Sequence, residues 1–139
     1  MRLKNCMVAK SMRLLVCGDR NWNYFPTILS FIASLQPEVV IQGLAKGADC
    51  MGKGAARQLG IPCLDFPANW REFGRAAGPI RNQKQLDEGK PTHCLAFHAN
   101  IDASKGTKDM INRCVKAGIP VRLVYNYLGH WRDITNVLR

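Results

Sequence analysis

Short apolar runs alternate along this chain with longer stretches in which apolar residues return every three or four positions, the pattern of repeated βα units. The runs Leu14 to Cys17, Glu38 to Ile41, Ile61 to Asp65, His93 to Phe97 and Ile119 to Val124 read as strands. Between them lie helical stretches. Ile28, Leu29, Ile32 and Leu35 share one face of a helix over 26–35, and others are predicted over 48–59, from Pro79 to about Glu88, and from Gly106 and Thr107 to Gly118. Gly60 followed by Pro62 marks a helix end, and Pro79 a helix start. The expected architecture is a single α/β domain, Rossmann-like in its three layers, with a mostly parallel sheet of about five strands.

That core occupies 13–124. Residues 1–12, with Arg2, Lys4 and Lys10 and no apolar stretch before a cleavage site, read as a flexible basic leader rather than a secretory signal. Residues 125–139 read as a C-terminal extension, helical by the spacing of Tyr127, Leu128, Trp131, Ile134, Val137 and Leu138. It is expected to pack on the core or in an oligomer interface. No run approaches the roughly 18 apolar residues of a membrane span.

Twenty Lys and Arg against ten Asp and Glu give a net charge of +10. For a domain of 139 residues that favours phosphorylated ligands or polyanions. The positive residues form no dense run, so nucleic acid ranks below a small phosphorylated ligand. Six cysteines without a C-x-x-C pair point to reduced thiols and a cytoplasmic setting. The three histidines lack metal-ligand spacing, so neither a metal nor a cofactor is expected.

Right-handed crossovers place every strand-to-helix turn on one edge of a parallel sheet, where α/β domains bind ligands. Four such turns carry chemistry. Gly18, Asp19 and Arg20 follow the first strand, Arg20 being able to offer a phosphate two donors. Gly43 to Asp49 follows the second. There Gly43 and Gly47 would admit backbone N–H groups to an anion, Lys46 adds charge, the helix from Ala48 points its positive end the same way, and Asp49 is a first-turn acid. Gly74 to Asn82 is a second glycine-lined helix start, in which Gly78 precedes a first-turn Arg81 that the helix dipole disfavours unless an anion is bound, with Asn82 next to it. Gly106 and Thr107, after Ser104, open the last helix. Trp22, Trp70 and Phe97 or His98 could stack on a base, Trp70 being the best placed. Neither a Walker A pattern nor a dinucleotide Gly-x-Gly-x-x-Gly follows a strand.

With these motifs the chain resembles the SLOG superfamily, Rossmann-like domains that include the DNA-processing protein A and Lonely Guy families, and most closely its YspA-type branch of bacteria and phages. The resemblance runs from Arg13 to about Leu123. It rests on Gly18-Asp19-Arg20, on Gly43 to Asp49 with Lys46 for the family's arginine, on Gly74 to Asn82, and on Gly106-Thr107. It implies a nucleotide-like ligand at these loops and a tendency to pair into oligomers. Lonely Guy enzymes release the base from a nucleoside monophosphate with a Pro-Gly-Gly-x-Gly-Thr-x-x-Glu motif. Here Asp102, Ala103 and Ser104 replace its start and Met110 its glutamate. The candidate catalytic carboxylates are then Asp109, about 100° round the helix from Met110, and Asp19. Arg81-Asn82 also matches an element of the DNA-processing proteins, which makes single-stranded DNA a third candidate ligand.

Overall fold

The computed structural model describes residues 11–139. Its strands are β1 (Arg13–Gly18), β2 (Val39–Gln42), β3 (Cys63–Asp65), β4 (His93–Phe97), β5 (Val121–Val124) and β6 (Trp131–Ile134). The helices are α1 (Phe25–Leu35), α2 (Ala48–Leu59), α3 (Trp70–Phe73), α4 (Ala77–Asp87) and α5 (Gly106–Lys116). The sheet order is β3-β2-β1-β4-β5-β6, parallel throughout except that β6 runs antiparallel to β5.

Strand alternation sorts the core into two halves. Leu14, Val16, Val40, Leu95 and Phe97 face Ile28 and Ile32 of α1 and Ala48, Ala55 and Ala56 of α2. Leu15, Cys17, Ile41, Ala96 and Leu123 face Met110, Ile111 and Cys114 of α5, with Leu86 of α4 alongside. Both faces of the sheet are therefore covered, which is why its central strands are unbroken apolar runs. No described helix is long and apolar enough to cross a membrane.

Three expectations are corrected. The sheet has six strands, and the sixth comes from the segment expected to be helical. A tight return over Tyr125 to His130 overrides the helical spacing: Tyr125 N–H donates to the His130 carbonyl at 3.0 Å, and the Asn126 side chain accepts from His130 N–H at 3.1 Å. The chain is thereby turned back along β5. Second, α4 begins at Ala77, so Pro79 is its third residue and Arg81 its fifth. A proline is tolerated there because first-turn N–H groups have no partner within the helix. Third, Trp22 and Phe97 are buried against each other, ring centroids 5.4 Å apart, and offer no stacking face. The leader over 1–12 lies, except for its last two residues, outside the described residues.

Candidate functional site

Chain order reverses at β1, whose neighbours β2 and β4 lead in opposite directions across the sheet. Such a reversal leaves a crevice beyond the carboxyl ends of the two central strands. Here it is a cleft of about 1150 Å³. Gly18, Asp19, Arg20, Gly43, Lys46, Asp49, Trp70, Gly78, Arg81, Asn82, Gly106, Thr107 and Asp109 all line it. Of the residues singled out from the sequence, Gly47 is not in its wall.

The turn after β2 is satisfied by its own chain rather than left open. Gly43 N–H donates to the Asp49 carboxylate at 3.0 Å, and Leu44 N–H to Gln42 Oε1 at 2.6 Å. The first N–H of α2, at Ala48, donates to the Asp19 carbonyl at 3.1 Å. Gly47, at φ 87°, lies so close to the backbone of Asp19 and Arg20 that a Cβ there would overlap it. The positive end of α2 is thus capped by the first loop, and the glycine serves loop-on-loop packing. At Gly43 the close neighbour is instead the Arg81 side chain, which a Cβ there would displace from its place against the turn.

Arg81 also finds its partners within the protein. Nη1 donates to the Gly43 carbonyl at 2.6 Å and Nε to Asn82 Oδ1 at 3.0 Å. Asp49 is buried beside it. Burial pushes the Asp49 carboxyl up to about 6, against the opposing pull of Arg81 and the hydrogen bonds from Gly43 and Ala45. The bonds continue across the floor: Asn82 Nδ2 donates to Asp109 Oδ2 at 2.9 Å and to the Gly106 carbonyl at 3.3 Å, and Arg113 Nε donates to Asp109 Oδ2 at 2.8 Å. Asn82 and Asp109 therefore tie α4 to α5.

Asp19 is less encumbered. Oδ1 accepts from Asn21 N–H at 2.9 Å, while Oδ2 faces His98 Nε2 across 4.0 Å. His98 Nδ1 accepts from Asn100 N–H at 3.0 Å, which leaves the neutral ring its proton on Nε2. Burial lowers the His98 pKa from its ordinary value, opposed by Asp19. The carboxylate and the imidazole stand just beyond the ends of the adjacent strands β1 and β4.

The mouth of the cleft is cationic. Arg20, Lys46, Arg75 and Lys105 are exposed and line it, and none has a side-chain hydrogen bond or ion-pair partner among the described residues. Trp70 is 59% exposed and lies over α4, with Gly78 leaving room for its ring. At the start of α5, Ser104 Oγ accepts the Thr107 N–H at 3.1 Å, and Gly106 has open space where a side chain would be.

The sequence singled out His98 only as a stacking face and did not mark Gln85, Arg75 or Lys105 as ligand residues, although both cations sit in the loops chosen. The signal for Gln85 was its position four residues after Arg81, one turn along the same helix face.

A family model described as YAcAr, the YspA, cpYpsA-related SLOG family, matches residues 12–73, from the start of β1 through α3. The match holds the first two loops and Trp70 and stops short of the Gly74 to Asn82 stretch. No curated protein matches the chain significantly. Among solved structures, that of DNA processing protein A (DprA) from Streptococcus pneumoniae superposes with a TM-score of 0.65 at 18% identity, over 81% of this chain and 50% of that one. At that identity the likeness is one of fold, and this chain spans about half the length of the relative. Family match and shared fold together bear out the resemblance of this chain to the SLOG superfamily and its YspA-related branch.

Proposed function

We propose that the cleft binds a nucleotide or a nucleotide-derived phosphorylated ligand, and that the protein serves as a sensor, a sequestering protein or a member of a nucleotide pathway. The observation that carries this reading is the group of cations, Arg20, Lys46, Arg75 and Lys105, without partners among the described residues, at a cleft whose mouth also holds an exposed tryptophan. Charges without protein partners in one concavity favour an anionic guest. Trp70 supplies a face for a base, and Thr107 and the open start of α5 supply polar groups for phosphate oxygens. Arg81 and Asn82 act by holding the walls in place, since their bonds are made inside the protein. Titration calorimetry with adenosine, guanosine, cytidine and uridine monophosphates and ribose 5-phosphate tests the reading. Lys46→Ala and Lys105→Ala are each expected to weaken the best of these by about tenfold or more. Native affinity for every probe in both variants refutes the assignment.

The free side of Asp19 favours a second reading, a phosphoribohydrolase that cleaves the N-glycosidic bond of a nucleoside monophosphate. Bond breaking builds positive charge on the sugar, which an adjacent carboxylate stabilises. Asp19 lines the cleft with Oδ2 free of any hydrogen bond among the described residues, whereas Asp109 Oδ2 already accepts two. No free base by chromatography after incubation with the four monophosphates rejects it. Single-stranded DNA is a third reading, supported by the charge of +10 and by the likeness in fold to a DNA processing protein. It predicts affinity that falls steeply with salt.

A further inference from the structure

Within the cleft one buried side-chain polar atom is left without a partner among the described residues. Gln85 of α4 lines the cavity and is 2% exposed, and its Oε1 is buried with no hydrogen bond among the described residues. Among the described residues its Nε2 reaches the Met110 sulfur alone, at 3.5 Å, a weak acceptor. Exchanging the two amide atoms would set the oxygen against the Met110 sulfur, acceptor against acceptor.

A buried amide oxygen without a donor is costly, and such groups are found where something else completes them. We infer that the Gln85 amide, beside Met110, reads the base of the bound ligand, accepting a hydrogen bond from an exocyclic amino or ring N–H group. The inference rests on the nucleotide reading above and names the part of the ligand that the floor recognises. A fully ionised phosphate cannot satisfy the orphan oxygen, since its own oxygens only accept. The phosphate ligands lie instead at the cationic mouth. The last torsion of a glutamine is soft, so the amide turns its oxygen onto the incoming donor at little cost. Met110, which stands where the related motif has its glutamate, gives the base an apolar wall and gives the Gln85 oxygen no donor.

The test is Gln85→Met, close in volume and without polar atoms, with Gln85→Leu as a second variant. Thermal unfolding and titration with the four monophosphates and ribose 5-phosphate are measured on each. Removing an unsatisfied buried group is expected to leave the melting temperature unchanged or raise it by about 2–5 °C. Affinity for the best-binding monophosphate is expected to fall about tenfold while that for ribose 5-phosphate is unchanged. Unchanged affinity for the monophosphate in both variants overturns the inference and leaves the phosphate site standing. An equal loss for monophosphate and ribose 5-phosphate also overturns it, because Gln85 would then shape the whole cleft. If the native protein binds none of the five, the nucleotide reading fails and this inference with it.

Discussion

Replacing Asp49 by asparagine isolates the electrostatic cost of building the cleft. Asp49 is 6% exposed, and its pKa rises from 3.8 to about 6 because burial penalises the charged form more than Arg81 and two backbone N–H groups favour it. The folded protein therefore holds the Asp49 proton more tightly than the unfolded chain does. Stability from this group is fully present below pH 3.8 and is lost as pH rises through about 6. A displacement of about two pH units corresponds to about 3 kcal/mol. The substituted amide does not titrate, and its oxygen can still accept from Gly43 N–H. Urea unfolding of both proteins from about pH 4 to about pH 8 gives the comparison. The native protein is expected to lose about 2–3 kcal/mol relative to Asp49→Asn over that window, most of it before about pH 6.5. A difference that is flat with pH refutes the reasoning. So does one in which the native protein gains on the variant as pH rises, since the attraction of the nearby Arg81 charge would then outweigh burial. A phosphate bound nearby disfavours the Asp49 anion further, so binding near pH 6 is expected to take up protons, measurable as a buffer-dependent heat.

Two further outcomes follow from packing. Gly52 of α2 rides on β1, and a Cβ there would come within 2.8 Å of Val16 Cγ1. Gly52→Ala is expected to cost about 1–3 kcal/mol by chemical denaturation despite its better helix propensity, and a stabilised variant would contradict the close approach. Trp70→Ala is expected to leave stability within about 0.5 kcal/mol, because the ring is largely exposed, yet to weaken nucleotide binding. In the native protein, nucleotide should quench tryptophan fluorescence through Trp70; quenching that persists in the variant would place the base elsewhere.

The parallel core was legible because its strands are apolar runs punctuated by Gly60, Pro62 and Gly118, signals that depend on local chain chemistry. β6 was not. Tyr127, Leu128, Trp131, Ile134 and Leu138 carry helical spacing, and what makes Trp131 to Ile134 a strand is pairing with β5 after the Asn126 return. The location of the site was equally legible, since four loops with glycines and cations had to meet at one sheet edge. Its internal wiring was not. Asp49 folding back onto Gly43, the Asp19 carbonyl capping α2 and Arg81 bonding to Gly43 are contacts that no local pattern announces. A cation near a helix start looks like a phosphate ligand until the carbonyl that occupies it comes into view.

The two borders of the sheet constrain how copies of this chain could meet. β3 contributes three residues, and its Asp65 is held by Lys53 at 2.7 Å and by Gln42 at 2.6 Å. β6 contributes four, with Arg132 and Asp133 at its centre. Short margins bearing charge are poor templates for a further strand. Growth by strand addition, the route to a continuous intermolecular sheet and to fibrils, is thereby disfavoured at both ends, which leaves helix faces and loops as the surfaces for any finite assembly.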